Sequence, residues 1–243
     1  MRTFLLVAAL LATAAAGTAQ TAPADTVTIR PGDPSLVTDW LVAGSRATTL
    51  KLVQPMKQDV GTSTETYTVA DGEIVKVSTV SVPMQGMEQT DTVAADAVTL
   101  APRRHASTGG QAEVSLEFMD EGVVGMVTPR SGEPTTVMVE TDAPVFDGAW
   151  MNEVVRSLPF AEGYVAKVAM YSPQMGDETS EVVVSVTGQE DVATAAGDRT
   201  GWTVVAEMGP VTMTFVVEPE TRDLLVTRFS PQPGVALEMV PAE

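Results

Sequence analysis

Cysteine is absent from this chain, and histidine occurs once, as His105. Without thiols there are no disulfides, no thiol catalysis, no Cys-rich metal site and no lipid-anchored lipobox cysteine. With one imidazole, a His-rich metal site is excluded too. A Ser-His-acid triad would have to use His105, and no Gly-x-Ser-x-Gly elbow accompanies it. His105 sits in Ala101-Pro102-Arg103-Arg104-His105-Ala106-Ser107 and reads as a surface or strand-face residue. Lysine is scarce as well: Lys51, Lys57, Lys76 and Lys167 are the full set. Asp and Glu number 32 against 14 Lys and Arg, a net charge of −18. Such a surface argues against nucleic acid as a partner, because phosphate binding needs clustered cations. Aromatic residues make up only 5%, so a core must be built from aliphatic side chains.

The apolar runs are short. Arg2 supplies a positive start, Phe4 to Leu11 an apolar stretch, and Ala12 to Ala19 a small-residue tract. Gly17-Thr18-Ala19 fits a signal-peptidase site, which predicts a signal peptide over 1–19 and a mature start at Gln20. The apolar stretch is too short for a membrane span. The expectation is an exported protein, periplasmic or extracellular, with no stable membrane insertion after cleavage.

Residues 20–44 read as an N-terminal extension. Asp33-Pro34 opens a possible short helix, with Asp as N-cap and Pro at the first position. Leu36, Val37, Trp40 and Leu41 would then share a face, and Gly44 would end it; a strand is the alternative. Residues 45–243 read as a single antiparallel β domain. Ala112, Val114, Leu116 and Phe118 alternate with Glu113, Ser115 and Glu117. Val211, Met213, Phe215 and Val217 repeat the pattern, as do Val182, Val184 and Val186. Thr62, Thr64, Thr66 and Thr68 make a polar face opposite Tyr67 and Val69. Asp71-Gly72 predicts a type I′ hairpin. Gln85-Gly86, Glu121-Gly122, Ser131-Gly132 and Gly209-Pro210 mark weaker turns, and 219–223 a longer loop. Between Glu73 and Val82 the alternation slips, which predicts a bulge near Ser78.

One segment breaks the strands. Over Gly148–Leu158, Trp150, Met151, Val154, Val155 and Leu158 fall on one helical face. Asn152, Glu153, Arg156 and Ser157 face away, Asp147 caps the start and Pro159 ends it. The expected architecture is mainly β: a curled antiparallel meander sheet, a half-barrel, with one covering amphipathic helix at 148–158.

Among chemistry-bearing groups, the carboxylate pairs Asp120-Glu121, Asp177-Glu178 and Glu190-Asp191 lie mostly beside turns and read as solvated charge. There is no Asp-x-Asp-x-Asp calcium loop, and Ser107-Thr108-Gly109-Gly110 lacks the Lys of a phosphate loop. Thirteen methionines, among them Met84, Met87, Met119, Met126, Met138, Met151, Met170, Met208 and Met213, suggest a Met-rich interior that fills gaps or adapts to apolar ligands.

Several segments in order resemble a known family. They are Asp96-Ala97-Val98-Thr99-Leu100-Ala101-Pro102-Arg103-Arg104, then Ser157-Leu158-Pro159-Phe160 leading to Gly163-Tyr164. Thr200-Gly201-Trp202-Thr203-Val204 and the run from Thr214 to Leu225 follow. This order is similar to an uncharacterised exported bacterial domain family related to the lipoprotein carrier and sorting (LolA/LppX-like) fold. Phe215 and Glu218 stand where that family usually has Trp and Asp. The resemblance covers about residues 45–240 and implies a curled sheet whose helix covers an apolar cavity. It carries over no catalytic, ligand-binding or metal residue. The expected function is therefore non-enzymatic, without cofactor: binding an acyl chain or a lipidated protein between sheet and helix. The alternative is a structural or interaction module of the cell envelope without a small-molecule ligand.

Overall fold

The computed structural model of the chain describes residues 26–176, 178–209 and 211–242. The expected signal peptide, 1–19, lies outside the described residues. The described residues form one sixteen-stranded sheet. In chain order the strands are β1 (Val27–Ile29), β2 (Gly44–Gln54), β3 (Gln58–Ala70), β4 (Glu73–Val82), β5 (Met87–Asp96), β6 (Pro102–Thr108), β7 (Ala112–Met119), β8 (Gly122–Pro129), β9 (Thr135–Glu140) and β10 (Phe146–Asp147). The helix α1 (Met151–Ser157) follows. Then come β11 (Val165–Tyr171), β12 (Ser180–Thr194), β13 (Gly197–Met208), β14 (Val211–Val217), β15 (Leu224–Gln232) and β16 (Val235–Pro241).

Two antiparallel meanders, β2 to β9 and β11 to β16, build the sheet. They are joined by β16 pairing with β2, from Ala236 opposite Gln54 to Pro241 opposite Thr48. The last strand of the chain thus seals against the first long one. β1, at one end of the strand order, and β10 both run parallel to β11. Register shifts at Leu50/Lys51, Ala94/Ala95 and Val186/Gly188 bend the strands. The sheet curls until Val137 and Val139 of β9 pack with Val145 and with Tyr171 of β11. Side chains meet there, but no strand ladder does, so the sheet is curled without being closed into a barrel.

The predicted alternation holds where one face is apolar. Val114 and Leu116 are buried, as are Val182, Val184 and Val186, while Thr62, Thr64, Thr66 and Thr68 are exposed opposite buried Tyr67. Val69, expected beside Tyr67, is exposed near the hairpin tip. At that tip Asp71 and Gly72 both have positive φ, +51° and +76°, as a type I′ turn requires. The bulge expected near Ser78 is absent: β4 pairs with β3 and β5 without a register shift. The slip has another cause. Val75 and Val77 face outward, and the inward positions beside Ile74 and Val82 include Lys76.

The helix is held inside the curl. Asp147 accepts the Ala149 N–H at 2.9 Å and caps a first turn of 3-10 helix, Gly148–Trp150. Leu158 is already extended ahead of Pro159. Trp150, Val154, Val155 and Leu158 are fully buried with Ile74, Val93, Val168, Val184, Val204 and Phe215, drawn from both meanders. Each such side chain contributes about 1.5–3 kcal/mol by burial. That packing is what holds a helix too short to persist alone. The expected solvent face is the principal correction: Glu153, Arg156 and Ser157 are fully buried, and Asn152 is half-buried.

Two further expectations fail for physical reasons. No helix forms after Asp33. Its carboxylate takes the Ser35 N–H and hydroxyl at 2.9 and 2.6 Å, and the Val37 N–H bonds to Ser157 O at 2.8 Å. Leu36, Trp40 and Leu41 still pack on the core, from turns. The interior is not Met-rich either. Met151 and Met170 are buried, but Met56, Met84, Met119, Met126 and Met138 are exposed, Met84 at 77% and Met138 at 75%.

Candidate functional site

The polar residues on α1 meet a row of inward-facing polar residues from the first meander. Glu153 Oε2 accepts from Lys76 Nζ at 2.8 Å, and Oε1 from the Tyr67 hydroxyl at 2.6 Å. The Lys76 ammonium also donates to Ala149 O at 2.7 Å and lies 4.9 Å from the Trp150 ring centre. Tyr67 reaches Glu65 at 3.0 Å. Burial works against the charge on Lys76, and the Glu153 carboxylate outweighs it, so the ammonium sits above the usual lysine range. Burial, with Glu153 and Glu65 adding, pushes the Tyr67 phenol up.

His105 belongs to the same interior. It is on the inward face of β6 and buried, not on the surface. Its Nδ1 lies 3.0 Å from Asp147 Oδ2 and its Nε2 3.5 Å from Asp91 Oδ1. Burial alone would depress its pKa. The hydrogen bonds and charges of Asp147 and Asp91 overcome that and bring it up to about 9. Asp91 is held below its ordinary range, against the opposing effect of burial, by His105, Ser107 and Gln89.

Beyond the C-terminus of α1, the loop between β14 and β15 folds over it. Arg222 donates from Nη1 to the carbonyls of Arg156 and Leu158, at 2.9 and 2.7 Å, and stacks 4.1 Å from the Phe160 ring centre. Arg156 Nε in turn donates to Arg222 O. The Arg156 guanidinium lies 3.6 Å from the Trp40 ring centre. Burial and the nearby Arg46 lower its pKa to about 10.

Two clefts flank this helix, one near each end of β13. The first, about 360 Å³, is lined by Gln89, Asp91, His105, Ala149, Ser172 and Met208 among others. The second, about 330 Å³, lies where β16 seals against β2. Of its lining, Thr227 and Met239 stand in register with the core residue Phe215 and with Leu50 across four strands, so they share the inward face. Leu224, Leu225, Met239 and Pro241 give this cleft an apolar wall, and Asn152 marks the half-buried flank of the helix. Arg46, Glu65, Arg199 and Asp223 complete it. Arg46 pairs with Asp223 at 3.2 Å and Arg199 with Glu218 at 3.6 Å. The size is at the small end for small-molecule sites. Where the resemblance implies a cavity beneath the helix, the structure has packed core. The apolar stripe is packed, and the space lies beside Asn152.

Of the carboxylate pairs singled out in the sequence, Asp120-Glu121 and Glu190-Asp191 line neither cleft. Asp120 and Glu121 line an open groove at a hairpin end with Glu140 and Asp142. Glu190 pairs with Arg228 at 2.5 Å, and Asp191 accepts from the Thr200 hydroxyl at 2.6 Å. Asp177 lies outside the described residues. Among the described residues no group of three or more His, Asp or Glu side chains is arranged so that it could hold a metal ion. Lys76, Glu153, Arg46, Arg156 and Asp223 were missed by sequence reasoning. One signal was available: a lone lysine in a Val-rich strand, at a position whose parity matches Ile74 and Val82.

A solved structure supplies a fold likeness. The crystal structure of a beta-barrel-like protein of domain of unknown function DUF1849 from Brucella abortus matches with a TM-score of 0.53 at 11% identity, over 84% of this chain and 97% of that one. No curated protein matches the chain. Residues 45–238 match the model of a family described as a protein of unknown function, DUF3108, and the chain belongs to that family.

Proposed function

We propose that this chain is an exported, non-enzymatic protein that binds the acyl chain of an amphiphile. The site is the cleft of about 330 Å³ at the seam of β2 and β16. The carrying observation is its construction: Leu224, Leu225 and Met239 form an apolar wall in the same cleft that Arg46 lines. An apolar wall with a few placed polar groups is the usual make-up of a small-ligand site. The order of residues 96–104, 157–164, 200–204 and 214–225 is similar to an uncharacterised exported domain family related to the lipoprotein carrier and sorting fold, and that resemblance supports the same reading. The acyl chain of a lipidated protein would meet the same wall.

Isothermal titration of the mature chain with dodecanoate tests this. Saturable binding is expected, and Met239→Trp, which fills the cleft, should weaken it at least about tenfold at an unchanged melting temperature. Failure of the folded protein to bind dodecanoate or any other single-chain amphiphile of that length would overturn the reading.

The alternative, an interaction module of the cell envelope, is favoured by one feature. β9 ends the sheet order and carries the exposed Met138 on its outer face. A protein captured from envelope extract by the wild type and lost with Met138→Asp would support that alternative.

A further inference from the structure

Asp223 and Arg46 line this cleft, and Arg156 lies directly behind Asp223, where the charges are unevenly matched. Arg156 is fully buried, yet neither of its Nη nitrogens makes a hydrogen bond. The carboxylate oxygen paired with it is Asp223 Oδ1, 3.6 Å from Nη2. The same oxygen stands 3.2 Å from Arg46 Nη2. One carboxylate oxygen is therefore shared by two guanidiniums, and both stack on Trp40, at 3.6 and 5.9 Å. A buried guanidinium is ordinarily met by two parallel hydrogen bonds from one carboxylate or phosphate. Here that fork is unfilled. The other carboxylate of the cleft, Glu65, lies 3.0 Å from the Tyr67 hydroxyl, whose single proton is shared with Glu153, and accepts from Asn152 at 3.5 Å.

Asp223 is accessible from the cleft. Its side chain is 42% exposed and lines the cleft. Apart from the two arginines, its carboxylate is held by the Thr221 hydroxyl at 2.9 Å. The neighbouring Arg222 anchors the loop to the carbonyls of α1, so rotation of the Asp223 side chain leaves the backbone in place.

We propose that the cleft recognises an anionic headgroup through Arg46 and Arg156, and that Asp223 is its internal surrogate, displaced when the ligand enters. The ligand class is an acyl chain ending in a carboxylate or a phosphate monoester. The headgroup takes the position of Asp223 Oδ1, and the chain runs along Leu224 and Met239. This inference rests on the acyl-chain reading above and adds the headgroup to it.

Titration of the wild type, Asp223→Asn and Arg46→Gln with dodecanoate, dodecyl phosphate and dodecanol tests it. In the wild type both anions, or one of them, should bind at least about tenfold more tightly than dodecanol, the tighter naming the headgroup. Asp223→Asn should tighten the anions about fivefold and leave dodecanol unchanged, because the competing charge is gone. Arg46→Gln should remove most of the preference for anions. Should Asp223→Asn melt early, Asp223→Ser serves in its place. If dodecanol binds as tightly as both anions, or if loss of the Asp223 charge weakens them, the headgroup assignment fails while the acyl-chain reading stands. If none of the three binds, the acyl-chain reading itself fails.

Discussion

Lys76 Nζ and Glu153 Oε2 lie 2.8 Å apart in the core, Lys76 at 3% exposure and Glu153 fully buried. The pair ties β4 to α1 across 77 residues of sequence. Desolvating two charges is costly, and their attraction offsets it only with good geometry and further hydrogen bonds. Both conditions are met, through Tyr67 and Ala149 O. Removing one partner leaves the other charge uncompensated. Lys76→Met should therefore destabilise the fold by about 3–5 kcal/mol in urea unfolding. Adding Glu153→Gln should restore most of that, since Gln still pairs with Tyr67 and no charge remains. A single variant as stable as the wild type would mean that the pair contributes nothing to the fold.

His105 predicts a specific pH dependence. Its pKa is raised from the ordinary 6.5 to about 9 in the folded protein. A raised pKa means that the folded state holds the proton more tightly. The stabilisation is complete below the unfolded value and is lost as pH rises through the folded one. Stability should thus decline between about pH 6.5 and 9, by roughly 3 kcal/mol at 1.4 kcal/mol per unit. Asp91, held low, acts with the opposite sign: its contribution is present above the unfolded carboxylate pKa and is lost toward acid. His105→Gln should flatten the alkaline slope, as read from urea midpoints across that range. An equally steep slope in the variant would refute the assignment.

The strands and the helix were legible because each carries a one-sided apolar pattern. Val182, Val184 and Val186, and the stripe from Trp150 to Leu158, bury where the pattern places them. What failed was the inference from polarity to exposure. Glu153 and Arg156 look like a solvent face, but their partners, Lys76 and Arg222, stand 77 and 66 residues away. No local window holds both members of either pair. The Asp33 helix failed for a related reason, since the Val37 N–H found Ser157 O instead of an intrahelical carbonyl. The cleft was illegible because it forms at the β16–β2 seam, where the two ends of the domain meet. His105 needed Asp147, which the sequence offers only as a helix cap.

Arg222 is strained and useful at once. It has φ of +59°, a left-handed conformation that costs a non-glycine residue about 1–2 kcal/mol. Its side chain donates to the carbonyls of Arg156, in the last turn of α1, and of Leu158, the residue that caps it. Arg222→Ala keeps the strain and loses two charge-assisted hydrogen bonds, so a loss of about 2–4 kcal/mol is expected. Arg222→Gly loses the same bonds but relieves the backbone, and should be about 1 kcal/mol more stable than the alanine variant. Thermal or urea unfolding of the two variants separates the contributions. Equal stabilities would show that the side chain alone decides the effect.

Gly201 links packing to the cleft. A Cβ at this position would lie 2.6 Å from Val216 Cγ1, 3.0 Å from Val217 O and 3.1 Å from Leu225 Cδ1. The first distance is a clash, and Val216 is fully buried and cannot withdraw. Gly201→Ala gains up to about 1 kcal/mol from a less flexible unfolded chain, but overpacking costs about 1–3 kcal/mol. A net destabilisation of about 1–2 kcal/mol is expected. The displaced atoms include Leu225, which lines the cleft. The variant should therefore also bind dodecanoate more weakly while remaining folded. Val216→Ala opens the space that the new methyl needs. Added to Gly201→Ala, it should destabilise by less than the sum of the two single changes, because residues in contact do not act independently. Strict additivity would place Gly201 out of contact with Val216 in solution and sever this link between the strand and the cleft wall.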